Sequence, residues 1–141
     1  MEETNDNLPT EEWNEIVTIA SMIEREAANV EEMPRVSSVI YNRLAIKRKL
    51  QIDATVVYAL GLNSKDVVTL DDLKVDSPYN TYVVPALPIG PIASPGAAAI
   101  KAALKPEVTE YTYYVLDPAA GQHFFTDDYD EFLRKKAEFA N

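Results

Sequence analysis

Apolar residues in the first fifth of the chain recur at spacings of three and four, the period of an amphipathic helix. Trp13, Ile16, Val17, Ala20, Ile23 and Ala27 form that stripe. Thr10 offers an N-cap, and Glu11 and Glu12 place negative charge at the positive end of the helix dipole. The pattern predicts a helix of roughly 17 residues, stopped at Asn29. Its back face, Asn14, Thr18 and Arg25, is expected in solvent. Met33-Pro34 opens a second helix, because proline suits a first turn. Val36, Val39, Ile40, Arg43, Leu44 and Ile46 carry its stripe, and Lys47, Arg48 and Lys49 crowd its negative end as a solvated terminus. Asp53-Ala54-Thr55 caps a short third helix that Gly61 stops. One further helical turn is expected at 69–73.

The rhythm then breaks. Pro78, Pro85, Pro88, Pro91 and Pro95, with Gly90 and Gly96, exclude regular helix or central strand over residues 77–96. Tyr79, Tyr82, Val83, Val84, Leu87, Ile89 and Ile92 make the same stretch too apolar for disorder. A long ordered loop of this kind is usually functional, and it is expected to wall a binding groove. Residues 97–104 are alanine-rich and helix-forming, and Pro106 ends them. YTYYVL at 111–116, turn chemistry at 117–121 and His123-Phe124-Phe125 predict a β-hairpin. Asp127 or Asp128 caps a last helix at 128–139, with Phe132, Leu133 and Phe139 as its apolar contacts. The expected class is α+β: a mainly helical domain with a small antiparallel hairpin and a long proline-rich ordered loop. Residues 1–9, polar and acidic, read as a disordered lead-in, and 10–141 as one domain.

Composition narrows the chemistry. At 141 residues, 47% hydrophobic and 26% charged, the chain has the make-up of one globular domain. A net charge of −10 weighs against nucleic acid as a partner. No apolar run approaches the ~20 residues of a membrane helix, and the N-terminus lacks a secretory signal pattern, so the chain as given reads as soluble. Zero cysteines remove thiolate and disulfide chemistry. One histidine, no Gly-x-Ser-x-Gly elbow and no glycine-rich phosphate loop leave no triad and no nucleotide cradle. A single histidine without cysteine is a poor zinc set. Carboxylate chemistry is left, with no metal and no cofactor expected.

Glu24 and Glu26 stand near the end of the first helix. At ~100° per residue, Glu24 falls on one shoulder of the buried face, toward Val17 and Trp13. Glu26 falls on the other, beside Ile19 and Met22. A carboxyl held against apolar neighbours at the negative end of a helix resists ionisation and becomes a general acid. The plain alternative is a helix glutamate paired with Arg25, Arg35 or Arg43.

The blocks ASMIEREA, PRVSSVIYNRL, LQIDATVVYALG, SPYNTY, LPIGPIASPG, AAIKAALKP and YTYYVLD…GQHFF, in that order from about Ala20 to Phe132, resemble the YceG-like family of endolytic murein transglycosylases. The resemblance implies a lytic transglycosylase. Such an enzyme cuts the β-1,4 bond between N-acetylmuramic acid and N-acetylglucosamine and leaves 1,6-anhydro ends, with one glutamate as both acid and base. The family's glutamate falls on Glu26, with Glu24 as the fallback. Gln51, Asp53, Asn80 and Thr81 would read sugar hydroxyls and N-acetyl groups, and Tyr58, Tyr79 and Tyr82 would pack on sugar rings. Each has a plain structural reading too: Asp53 as a helix cap, Asn80 as a turn residue, the tyrosines as core. His123 is expected to be packed or solvated rather than catalytic. Where the family often has proline after the block's aspartate, Ala54 follows Asp53.

The resemblance also implies peptidoglycan strands as substrate, penicillin-binding proteins as partners, and a membrane-anchored parent acting on the extracytoplasmic face. A non-catalytic glycan-binding module is the alternative from another class. The family's aminodeoxychorismate lyase label is a further one, but that chemistry needs pyridoxal phosphate on a lysine and a phosphate cup.

Overall fold

The computed structural model of the chain describes residues 9–62 and 68–140. Most of the expected lead-in, residues 1–8, lies outside the described residues. Helix α1 spans Thr10–Glu26. Its N-cap is Pro9 rather than Thr10: Pro9 is extended, and its carbonyl accepts from the Trp13 N–H at 3.0 Å. The helix ends at Glu26, where Ala27 turns extended. Asn29 instead starts the next element, its Oδ1 accepting from the Glu32 N–H at 2.9 Å.

The expectation that Thr18 faces solvent is corrected. Thr18, Ile19, Ala20, Ser21, Met22 and Ile23 are all buried, so this part of α1 is enclosed all round, as befits a central helix. The polar members are satisfied locally. Ser21 Oγ donates to the Thr18 carbonyl at 2.7 Å and accepts from the Ile92 N–H at 3.0 Å, which fastens the proline-rich loop to the helix.

Helix α2, Met33–Ala45, carries Pro34 in its first turn. It ends in a Schellman motif: the Lys47 N–H reaches Leu44 O at 3.1 Å and the Arg48 N–H reaches Arg43 O at 2.8 Å. Lys47 occupies the left-handed position at φ 58, a conformation that costs a β-carbon about 1 kcal/mol. Helix α3, Asp53–Leu60, ends the same way but with Gly61 at φ 69. The turn expected at 69–73 is a 3-10 helix at Asp72–Lys74, with Thr69 and Asp72 bonding each other's backbone N–H. Residues 77–96 contain no helix or strand.

Helix α4, Ala97–Leu104, lays its small face (Ala99, Ala102, Ala103) against α1 and α2. Ile19, Met22 and Ile23 of α1, Val36 and Ile40 of α2, and Leu50, Ile52 and Ile92 complete one core. Each fully buried large side chain there stabilises the fold by ~1.5–3 kcal/mol. Strands β1, Tyr113–Asp117, and β2, Gln122–Thr126, pair antiparallel, with Tyr113 opposite Thr126 and Asp117 opposite Gln122. β1 starts two residues later than expected. Asn42 Nδ2 donates to the carbonyls of Thr109 (3.0 Å) and Tyr111 (2.8 Å), and Arg43 Nε to that of Thr112 (2.6 Å). Those carbonyls are therefore taken by α2. Asp128 caps helix α5, Tyr129–Phe139, accepting from the N–H groups of Asp130 and Glu131. α5 covers one face of the hairpin by stacking Phe132 on Tyr113 at 5.1 Å. The fold is α+β.

Candidate active site

Glu26 is the last residue of α1, and the hairpin crosses beside it. The hydroxyl of Tyr114, on β1, donates to Glu26 Oε1 at 2.7 Å. Oε2 has no hydrogen-bond partner among the described residues. The residue as a whole is half-buried, yet its carboxyl end sits deep enough that burial is the strongest influence on it and raises its pKa above the ordinary 4.5. The Tyr114 hydrogen bond pulls the other way, the negative charge of Asp53 pushes up again, and His123 and Arg25 pull down more weakly. The balance is a carboxyl that gives up its proton less readily than a free glutamate does. Tyr114 is itself pushed well above its usual value, first by burial and then by Glu26, so it stays a donor.

Two of the arginines that could have neutralised Glu26 are engaged elsewhere. Arg35 pairs with Glu107 at 3.3 Å. Arg43, nearly buried, donates to the carbonyls of Thr112, Lys49 and Leu50. The negative charge nearest in chemistry is Asp53, at the first turn of α3, which accepts from the Tyr82 hydroxyl. Burial first and Asp53 second raise the Tyr82 pKa.

Glu26, Gln51, Asp53, Tyr82 and Tyr114 line one open cleft of about 740 Å³. Gln51 is held at φ 53, a left-handed bend in a residue with a β-carbon. Strain of that kind concentrates at functional sites. The clasp that imposes it is Thr81, whose carbonyl accepts from the Gln51 N–H (3.2 Å) and whose Oγ1 accepts from the Ile52 N–H (2.8 Å).

This corrects part of the expected sugar-reading set. Asn80 and Thr81 are 0% exposed, and their polar atoms are spent inside the protein. Asn80 Nδ2 donates to the carbonyls of Leu73 (2.9 Å) and Val75 (2.8 Å), while its Oδ1 accepts from the Tyr82 N–H (2.9 Å). A fully buried, fully bonded amide cannot reach a sugar, so these two residues shape the loop that presents Gln51, Asp53 and Tyr82. Tyr58 does not line the cleft either. It is exposed, and its ring meets Tyr79 edge-on at 4.8 Å.

Glu24 lies apart from the cleft lining. Its Oε1 accepts from the N–H of Gly96, the N-cap of α4, at 2.8 Å. A carboxylate there satisfies an orphan N–H and meets the positive end of the helix dipole. His123 is packed rather than solvated. Its Nδ1 lies 2.5 Å from Glu32 Oε2, and its ring meets Tyr114 edge-on at 5.0 Å. Tyr114 and Glu32 escaped the sequence reading. The alternation of Tyr113 and Tyr114 says that they face opposite sides of a strand, but nothing in it names a partner 88 residues away. Among the described residues, no group of three or more His, Cys, Asp and Glu could hold a metal ion, and no helix is long and apolar enough to cross a membrane.

Comparison with known proteins brings the site into a family. The model of the YceG-like family matches residues 1–138. An endolytic murein transglycosylase of Bacillus subtilis (strain 168) is 42% identical over 126 residues, which cover 89% of this chain and 34% of that protein. The protein of the same name in Streptococcus pneumoniae serotype 2 is 32% identical over 132 residues, or 91% of this chain and 24% of the relative. The chain thus spans about a third or less of these relatives. A crystal structure of a YceG-like protein of Listeria monocytogenes superposes with a TM-score of 0.83 at 41% identity, covering 87% of this chain and 40% of that one.

Proposed function

The chain belongs to the YceG-like family, and from that premise we propose that it is a catalytic domain that cuts peptidoglycan glycan strands as a lytic transglycosylase. The observation that carries the reading is Glu26: a desolvated carboxyl with one oxygen held by Tyr114 and the other free, on an open cleft. The names of the relatives supply the substrate class.

In the proposed reaction, neutral Glu26 gives its proton to the oxygen that links N-acetylmuramic acid to the next sugar. The C1–O bond breaks, and positive charge develops at C1. Asp53, on the same cleft, stabilises that charge through space. Glu26, now a carboxylate, is stabilised by the Tyr114 hydroxyl on Oε1. It takes the proton of the muramic C6 hydroxyl as that oxygen attacks C1. A 1,6-anhydro ring closes and the acid is regenerated, so no water, metal or cofactor is consumed. Tyr114 leaves Oε2 as the oxygen that carries the travelling proton.

A second reading rests on Asp53. Two carboxylates on one cleft are also the equipment of ordinary glycosidases. With Asp53 activating a water, the products would be hydrated reducing ends. Mass spectrometry of products from purified glycan strands separates the two, because anhydro ends are one water lighter. Hydrated products alone would transfer the second step to Asp53. No cleavage at all, with retained binding, would leave a glycan-binding module. The proposed substrate lies outside the cytoplasmic membrane, so the proposed place of action is the extracytoplasmic face, within a membrane-anchored parent. There it would meet wall-synthesis enzymes such as penicillin-binding proteins, an association that co-purification of the parent protein tests.

A further inference from the structure

The cleft does not end at the carboxylates. Its lining continues through Tyr113, Tyr129 and Phe132 to Arg48 and Lys136. Tyr113 and Tyr114 are neighbours on a strand and point to opposite faces, and β1 is an edge strand of a two-stranded sheet. The cleft therefore wraps that free edge, from the Glu26 side to the α5 side.

The charges on the α5 side run against the composition. The chain has 23 acidic residues against 13 lysines and arginines, and what sets two of its exposed cations apart is that they line the cleft. On α5, Arg134 pairs with Glu131 at 4.0 Å and Lys135 with Glu138 at 3.4 Å. Lys136, exposed on the same helix, has no carboxylate among the described residues and lies over the Phe132 ring at 5.8 Å. Arg48, also exposed and also without a carboxylate, lies over the Tyr113 ring at 4.9 Å. It reaches that position because Lys47 takes the left-handed turn that closes α2. Two unpaired cations thus flank an aromatic floor, in which Tyr129 is 52% exposed. The basic cluster at 47–49, expected to be a solvated helix end, sends one member into the cleft.

We propose that this end of the cleft, built by Arg48, Lys136, Tyr113, Tyr129 and Phe132, is a subsite for the acidic peptide stems carried by murein glycan strands. The inference rests on the glycan-cleaving reading above. A strand stripped of its stems keeps one lactyl carboxylate on each muramic residue, beside the sugar ring. A stem carries more than one carboxylate and reaches further along the cleft, to the basic half. The peptide attached to the lactyl group of each muramic residue ends in carboxylates, and those complement the two cations. The aromatic rings take the apolar alanine side chains of the stem. Selectivity is thereby divided: the carboxylate half acts on sugar, and the basic half reports whether the sugar is dressed.

The test compares two substrates, strands bearing stems and the same strands stripped of them by an amidase, with the 141-residue chain as it stands. The readout is the ratio of kcat/KM for stem-bearing over stripped strands. Wild-type chain should favour stem-bearing strands, and Arg48→Gln with Lys136→Gln should lower the ratio roughly three- to tenfold through KM, the scale of two solvent-facing ion pairs. The preference should shrink as salt rises. Lys136→Gln alone should give part of the fall, which guards against a folding defect at Arg48. Lys74→Gln, at an exposed pair with Asp71 outside the cleft lining, should leave the ratio where it was. A ratio untouched by the double change, or lowered equally by the Lys74 control, would overturn the subsite. A wild-type chain that cuts neither substrate would overturn the glycosidase reading instead.

Discussion

Glu26 and Glu32 are both shielded carboxyls in the same part of the protein, and they are tuned in opposite directions. Glu26 receives one hydrogen bond, from Tyr114, and lies near the charge of Asp53. Burial wins, and its pKa rises. Glu32 is 4% exposed. Burial is again the largest single influence and pushes upward, but the N–H groups of Ala28 (2.7 Å) and His123 (2.9 Å) and the His123 ring all contact its two oxygens. Together they outweigh burial, and its pKa falls. Donor count, rather than depth, decides which carboxyl has its pKa raised and which has it lowered. His123 is therefore part of a brace: it holds Glu32 ionised and presents its ring edge to Tyr114.

The sharpest way to break this contrast is Glu26→Gln. Glycan release should fall by about 10²–10⁴-fold, the usual contribution of a general acid and base. The fold should not suffer. A raised carboxyl pKa favours the folded state below about pH 4.5 and loses that advantage as pH rises through the folded value. The stability of Glu26→Gln relative to wild type, read by urea denaturation, should therefore grow with pH across that window. A stability loss that grows with pH would mean that Glu26 is paired rather than poised.

Glu32→Gln should do the reverse. It replaces a charged acceptor of three donors and should cost about 2 kcal/mol at pH 7, with the activity loss following the unfolding. Because the folded pKa of Glu32 is lowered, its contribution is present above 4.5 and fades as pH falls through the folded value. The gap between wild type and variant should close in acid. Tyr114→Phe comes next. It removes the one donor to Glu26, so activity should fall about tenfold, the worth of one charge-assisted hydrogen bond. The alkaline limb of the kcat/KM profile should move to higher pH, because the acid then holds its proton more tightly. Glu24→Gln is the smallest change: under ~1 kcal/mol from the cap of α4, with cleavage retained.

Much of the scaffold was legible in the chain. The three-and-four spacing placed α1 and α2, Gly61 stopped α3 where expected, and tyrosine-rich alternation around a turn placed the hairpin. Thr18 was misplaced because helical periodicity describes a helix with one wet side, and the loop around Ile92 covers the other side of α1. The errors at Asn80 and Thr81 have a shared cause. A proline-rich loop has few backbone partners of its own, so its polar side chains are consumed in holding it. The same residue types would look identical if they faced sugar. Tyr114 was invisible for a different reason, since contacts between elements remote in the chain leave no mark in local pattern.

That remoteness has a consequence for biosynthesis. The two halves of the poised acid leave the ribosome far apart, Glu26 early and Tyr114 only after most of the domain has been made. Until the hairpin arrives to shut water away, Glu26 has the acidity of an ordinary glutamate side chain. In the proposed reaction the acid is therefore set only once both ends of the domain have met, and a nascent chain that still lacks its hairpin would be harmless to any glycan it meets.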